Sequence, residues 1–334
     1  MTNYSKINIV VLLGGTSPER EVSKDSGKSI YEALVRLGFN VKIIDPGYGL
    51  NQPENIEEYF TENDYAEISN RNVIDVINSA MFDKVDLVFL ALHGKWGEDG
   101  VIQSLLELRG LKYTGSGVLP SALAMDKIKS KMMFLHYHVT TPNWFVVKSE
   151  EYQLTKVILK INKLFGFPCV IKSNDSGSSI GMTICFEESE VEDALEKSKK
   201  YSATIIIEKY IDGKELTVGI LGKQVFPVLE IKPKSGLYDF ASKYTDGLSD
   251  FIVPAEIPKE ISKHLQNQAL LAYNSVGCSV YGRVDFRLSN DNKSYCLEVN
   301  NLPGMTSHSL VPKMAASAGI SFDSLVEEIV NLSL

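Results

Sequence analysis

The sequence lacks the features that mark several common protein classes. Its four cysteines, Cys169, Cys185, Cys278 and Cys296, are scattered over 334 residues. Their spacing matches neither a zinc pattern nor a disulfide framework. Three lie in strand-like segments, where a buried free thiol is the usual state. No long run of Lys or Arg occurs and the net charge is -8, which argues against nucleic acid or an anionic membrane as a main partner. No stretch approaches the roughly 20 apolar residues of a membrane span. The first apolar run, residues 7–13, is interrupted by Asn8 and ended by Gly14 and Gly15. It is too short for the core of a signal peptide, so a cytoplasmic location is expected. Internal repeats and low-complexity segments are also missing.

What is present is ordinary for a globular protein: 44% apolar and 23% charged residues, in a length that suits two or three domains. Residues 7–13 read as a buried strand, residues 22–36 as a helix stopped by Gly38, and Val41 to Asp45 as a second strand. After a polar stretch near 48–72, Val73 to Ala80 looks helical. Val85 to Leu92 reads as a third strand, almost wholly apolar as parallel strands tend to be, and a helix follows to Arg109. This alternation predicts a small doubly wound α/β domain. A helix from Pro120 to His138, carrying Lys127, Lys129 and Lys131, is expected next. Strands at 144–147, 169–172, 182–186 and 204–208 then alternate with helices at 153–164 and 189–199. From Leu216 the pattern turns strand-rich, with a hairpin-like turn at Gly222 and Lys223. A long helix at 259–275 and helices near 309–318 and 322–333 complete the expected elements.

Chemistry-bearing residues fall at the ends of these elements. Arg283, Asp285, Glu298 and Asn300 flank the polar turn 289–293, so a hairpin can bring Asp285 beside Glu298. Glu298 and Asn300 are two apart and share a face on a regular strand. Such an all-oxygen set suits Mg²⁺, which takes carboxylates and substrate phosphates; acidic residues also simply solvate strand ends. Lys172 precedes a loop of small residues, Ser173 to Gly181, whose backbone N–H groups can approach phosphate closely. It is not a Walker loop, because the lysine comes first and no helix follows. An ordinary glycine-rich hairpin is the plain alternative. Glu208 closes a strand where it can accept the amino hydrogens of adenine, and Glu215 can accept from ribose hydroxyls; both also read as surface charge. At the first strand end, Gly14 and Gly15 allow a tight turn into a helix. The Gly-x-Gly-x-x-Gly dinucleotide pattern is absent, and Asp45 lies too far along the chain for that role. Glu19 at this turn can hold an ammonium or favour the helix start. His93 sits beyond the third strand, where ligands bind in open α/β sheets, while Glu98 and Asp99 read as the start of the next helix. Residues 236–247 are polar and aromatic, and long enough for a lid.

Together these segments resemble the D-alanine–D-alanine ligase family of the ATP-grasp superfamily. The likeness runs from Leu12-Leu13-Gly14-Gly15-Thr16 to Pro303–Pro312. In family order it takes in His93-Gly94-x-x-Gly97-Glu98-Asp99-Gly100, Tyr113-Thr114-Gly115-Ser116-Gly117, Met125-Asp126-Lys127 and Lys243-Tyr244. The resemblance implies a three-domain ATP-grasp fold, divided here as residues 1–118, 119–206 and 207–334, with ATP between the second and third domains. It implies that Lys127, Lys172 and the loop at Ser178 contact ATP phosphates, and that Glu208, Lys209, Ile211 and Glu215 hold adenine and ribose. Asp285, Glu298 and Asn300 would bind two Mg²⁺, with Mn²⁺ able to substitute. Glu19 would take the ammonium of the first D-alanine, with His93 near its carboxylate. Arg283 and the Gly304 N–H would form the oxyanion site, and Lys243 would contact the transferred phosphoryl. Ser309 and Leu310 would line the second D-alanine site. Tyr244, Ser178 and Glu19 would link lid to floor.

The implied activity is ATP-dependent joining of two D-alanines through an acyl phosphate, for peptidoglycan synthesis, by a homodimer. The chain departs from its relatives at Ser173, Asn174, Asp175 and Ser176, where Pro and a charged pair are frequent, and at Lys95, Trp96 and Phe240. Tyr244 favours an amine as second substrate over D-lactate. A D-lactate- or D-serine-dependent ligase and a nucleotide-binding protein without catalysis are the competing readings.

Overall fold

A computed structural model describes residues 4–234, 245 and 247–334. The lid expectation at 236–247, with Lys243 and Tyr244, therefore lies almost wholly outside the described residues. The N-terminal part alternates β1 (Asn8–Leu12), α1 (Arg20–Arg36), β2 (Asn40–Ile44), α2 (Asn70–Ile77), β3 (Leu87–Leu90) and α3 (Val101–Leu108). Its sheet has the order β2-β1-β3, all parallel. Because the strands are parallel, the turns at Gly14, Asp45 and His93 all emerge at one edge, where such sheets bind ligands.

Next come α4 (Val118–Met125) and α5 (Lys127–His136). The single helix expected over this stretch is two. Asp126 leaves the helical region at ψ 100° and its carboxylate accepts the Lys129 N–H, which makes it the N-cap of α5. The middle sheet is built from β4 (Trp144–Lys148), β5 (Cys169–Ser173), β6 (Thr183–Cys185) and β7 (Thr204–Lys209), with α6 (Leu154–Leu164) and α7 (Val191–Lys199) between them in the chain. Its order is β4-β7-β5-β6, antiparallel throughout.

The third sheet contains β8 (Gly213–Leu221), β9 (Gln224–Val225), β10 (Leu229–Pro233), β11 (Ser249–Ile252), β12 (Tyr281–Ser289) and β13 (Ser294–Asn300). Its path is β11-β10-β8-β12-β13, with β9 paired to β8. The helices α8 (Lys259–Ser275), α9 (Leu310–Ser317) and α10 (Phe322–Ser333) complete the chain. Leu216, Val218, Val284 and Phe286 form one core with Leu265 and Ala269 of α8 and with Ala124 and Phe134 of α4 and α5. Leu221, Tyr281 and the C-terminal helices instead join the core of the N-terminal sheet, so the third sheet is braced on two sides. The middle sheet has its own small core around Ile171, Ile205 and Leu195. All four cysteines are buried free thiols, the state expected for the three in strand-like segments.

One irregularity places the site. Along β12, Val284, Phe286 and Leu288 are buried while Arg283, Asp285 and Arg287 lie on the more open face. On β13, Phe286 pairs with Cys296 but Asp285 pairs with Glu298, which leaves Leu297 as an extra residue. This β-bulge reverses the side-chain alternation. Cys296 therefore points into the core, while Glu298 and Asn300 share the face of Asp285.

Candidate active site

The main cavity lies between the middle and third sheets. Its walls include Lys127, Lys172, Ser176 to Ser179, Glu208 to Ile211, Glu215, Asp285 and Glu298. Most residues expected at a nucleotide are thus brought to one place. Val170 and Ile211 supply buried apolar surface for a flat ring. The chain from Tyr210 to Glu215 is stapled by Arg287, which the sequence did not single out. Its guanidinium donates to the Ile211 and Gly213 carbonyls at 3.0 and 2.9 Å and pairs with Glu215 at 3.2 Å.

At the end of the cavity near the serine-rich loop, Lys127 Nζ donates to the Ser176 carbonyl at 2.8 Å. The start of α5 is tied to the same loop, because the Ile128 N–H donates to Asn174 Oδ1 at 2.9 Å. Ser178 and Ser179 both adopt positive φ, 48° and 58°, a strained conformation that non-glycine residues keep mainly at functional sites. Gly177 packs on Glu19 so closely that a Cβ there would lie 2.8 Å from its carboxylate. The Ser178 hydroxyl donates to Glu19 Oε1, so loop and N-terminal turn meet directly.

Lys127, Lys131, Lys172 and Arg283 each have an acidic partner. Lys172 Nζ lies 2.5 Å from Glu208 Oε1, and Lys131 Nζ lies 2.8 Å from Oε2. Burial raises the Glu208 carboxyl, but the two lysines more than offset that and hold it down at about 2. Burial also pushes Lys131 below its ordinary value, against the pull of Glu208. Arg283 grips Asp285 through two parallel hydrogen bonds of 2.8 Å, and Thr217 donates to the same carboxylate at 2.6 Å. Lys127 stands 3.4 Å from Glu298.

Asp285, Glu298 and Asn300 offer hard oxygens on one face, with the Lys127 ammonium beside Glu298. No cluster of three or more His, Cys, Asp or Glu side chains suited to a metal exists among the described residues. Two carboxylates and an amide fall short of a full protein cage. That fits Mg²⁺, which keeps waters and takes substrate phosphates as ligands.

The N-terminal sheet edge meets the Ser178 loop through Glu19. Asp45, which sequence reasoning left without a role, is fully buried; it accepts the Gly15 and Gly47 N–H groups at 3.0 and 2.8 Å and pairs with Arg20 at 2.6 Å. Gly14 needs φ +77°, and a side chain there would strike Asp45 and Arg20. His93 is held on both sides, by Glu98 on Nδ1 and by the Ser26 hydroxyl on Nε2, each at 3.1 Å. With Glu98 as acceptor, the network assigns the ring proton to Nδ1. Ser26 Oγ also accepts the Met305 N–H at 3.3 Å, which ties His93 to the loop bearing Gly304. Glu98 is thus more than a helix-start charge, while Asp99 does serve that end, accepting the Val101 N–H at 3.2 Å. Asn301 fixes the same loop by donating to the Glu98 carbonyl and to Ser121. Ser309 accepts the Thr306 N–H at 3.0 Å and lies against Gly304; Leu310 is buried beside it in the N-terminal core. Asn300 Oδ1 accepts the Leu302 N–H at 3.0 Å.

Residues 8–116 match the family described as "D-ala D-ala ligase N-terminus", and residues 133–331 match "D-ala D-ala ligase C-terminus". The chain belongs to the D-alanine–D-alanine ligase family. It is 39% identical to the D-alanine–D-alanine ligase of Desulforamulus reducens, covering 98% of this chain and 99% of the relative. Identity to the Halalkalibacterium halodurans ligase is 40%, over 98% and 99% of the two chains. Among solved structures, the Bacillus anthracis ligase complexed with ATP superposes with a TM-score of 0.77 at 31% identity, covering 98% of this chain and 97% of that one. The VanG D-Ala:D-Ser ligase of Enterococcus faecalis superposes with a TM-score of 0.82 at 29% identity, covering 98% and 99%. The three-domain ATP-grasp class expected from the sequence is therefore the class of its structural neighbours.

Proposed function

We propose that the chain joins two molecules of D-alanine into D-alanyl-D-alanine, consuming ATP and releasing ADP and phosphate, as a step of peptidoglycan precursor synthesis. The observation that carries this reading is the convergence of Lys127, Lys172, Asp285 and Glu298 on one cavity, in a member of this ligase family. Val170, Ile211 and Glu208 receive the adenine, with the backbone of Lys209 alongside, and Glu215 takes the ribose. Lys127, Lys172 and the N–H groups near Ser178 receive the phosphates. Asp285, Glu298 and Asn300 hold two Mg²⁺, or Mn²⁺ in their place. Bound there, the metal supplies charge neutralisation for the transferring phosphoryl group.

Glu19 holds the ammonium of the first D-alanine, close to the Ser178 loop, and His93 orients the floor near its carboxylate. A carboxylate oxygen of this D-alanine attacks the γ-phosphorus, giving an acyl phosphate and ADP. The neutral amine of the second D-alanine, placed by Ser309 and Leu310, attacks the acyl carbon and loses one N–H proton to solvent as the amide forms. Phosphate leaves with the original carboxylate oxygen. Arg283 and the Gly304 N–H stabilise the tetrahedral oxyanion. Lys243 assists phosphoryl transfer, and Tyr244 closes the link through Ser178 to Glu19. The proposal extends to a cytoplasmic homodimer; among the described residues no helix is long and apolar enough to cross a membrane.

The direct test is phosphate release from ATP with D-alanine and with L-alanine. Release with D-alanine alone is expected, and no turnover at any D-alanine concentration overturns the reading. The likeness to a D-Ala:D-Ser ligase supports a second reading, with D-serine as acceptor. Product analysis with D-alanine, D-serine and D-lactate together decides it: predominance of D-alanyl-D-alanine favours the first reading, and a mixed dipeptide the second.

A further inference from the structure

Lys131 is fully buried, and no role described above uses it. It lies one turn along α5 from Lys127, with none of its side chain exposed. Its ammonium donates to Thr141 Oγ1 at 2.6 Å. It also lies 2.8 Å from Glu208 Oε2, a close ion pair. The other oxygen of Glu208 takes Lys172 at 2.5 Å. One carboxylate thus carries two ammonium groups. Lys172 borders the cavity and Lys131 does not. Burying a second cation on a single anion is costly, and the surplus becomes useful once one of the two cations departs.

We propose that Lys131 is a positioning residue for the nucleotide: it stays on Glu208 as a fixed counter-charge, so that Lys172 can exchange Glu208 for a phosphate oxygen. The proposal rests on the reading that Lys172 and Glu208 meet ATP. The tether to Thr141 keeps Lys131 in place, whereas the ammonium of Lys172 is at the cavity wall. Without Lys131, departure of Lys172 strands a buried carboxylate, and ATP must compete with an ion pair that has become indispensable. Lys131 then acts on ATP affinity only through Glu208, a dependence that a double-mutant cycle measures.

The experiment is the dissociation constant of ATP, by calorimetry on the full chain, for wild type, Lys131→Met, Glu208→Gln, the double variant and Lys172→Met. A thermal melt of each variant accompanies it. Lys131→Met is expected to weaken ATP binding about tenfold, a coupling of ordinary size, and to leave the D-alanine KM unchanged. In the Glu208→Gln background the same change is expected to cost less than about twofold, within the additivity error for independent sites. An unchanged ATP constant in folded Lys131→Met, or an equal loss in both backgrounds, overturns the proposal. If Lys131→Met alone does not fold, the double variant, which removes both charges, decides against Glu208→Gln by the same criterion. Lys172→Met separates the proposal from its premise. Unchanged ATP binding there overturns the reading of Lys172 and the proposal with it. A large loss there, with none in Lys131→Met, overturns only the role of Lys131.

Discussion

The N-terminal sheet edge and the main cavity use the same chemistry, carboxylates paired with cations, in opposite ways. Asp45 is enclosed by two backbone N–H groups and by Arg20, which is itself anchored to Asp64 at 2.8 Å. Nothing in that network faces the main cavity. Asp285, Glu208 and Glu298 also have cationic partners, but each lines the cavity, and their partners Arg283, Lys172 and Lys127 are the groups assigned to substrate. The first arrangement is a strut. The second borders a cavity, and on the proposed reading it is a resting state in which each charge is compensated until a ligand replaces one partner. Ion-pair geometry alone does not separate the two cases; the number of independent anchors and the access of ligand do.

Substitutions on the two sides should therefore split stability from turnover. The largest effect is expected from Arg283→Met, which should lower kcat by about 10²–10³ by removing an oxyanion donor, with little change in melting temperature. A comparable fall in stability would place Arg283 with the struts. Asp45→Ala should do the reverse. It leaves the buried Arg20 with Asp64 as its one remaining carboxylate partner among the described residues, at a cost of about 3 kcal/mol, the low end for a broken buried pair, readable by urea denaturation. Glu298→Gln should raise the Mg²⁺ concentration for half-maximal turnover by about tenfold or more, again without unfolding the chain. The smallest effect concerns pH. Lys131 and Lys172 hold the buried Glu208 carboxyl down at about 2 in the folded chain, against about 4.3 unfolded. Its contribution to stability is therefore complete above about pH 4.3 and drains away as pH falls toward about 2. Acid denaturation of Glu208→Gln should accordingly show a shallower limb across that window than wild type. Identical limbs would mean that Glu208 is not held in its charged form by the two lysines.

Much of this was legible in the sequence where local pattern and chain order carry the information. The pairing of Asp285 with Glu298 follows from the polar turn between them, and the gathering of Glu19 and His93 at one edge follows from parallel strands. The bulge at Leu297 was not legible: Cys296, Glu298 and Asn300 have the same spacing, and only the pairing with Phe286 shows that Cys296 turns inward. The break at Asp126 was hidden because an Asp between helix-forming segments reads equally well as a surface residue within one helix. Ser26, Asn301 and Arg287 escaped notice, and Asp45 was weighed only for a dinucleotide role, because their partners are distant in sequence. Arg287, for example, reaches Ile211 across 76 positions. Buried polar groups need partners, but the sequence does not say which. Lys131 was visible only as one lysine of three on a helix.

The central claim is that the γ-phosphoryl group passes through the carboxylate of the first D-alanine, and oxygen labelling tests it most directly. D-alanine carrying ¹⁸O in its carboxyl group is turned over with unlabelled ATP, and the released phosphate is analysed by mass spectrometry. The account predicts one ¹⁸O in the phosphate for each D-alanyl-D-alanine formed. Unlabelled phosphate accompanying the dipeptide would contradict it.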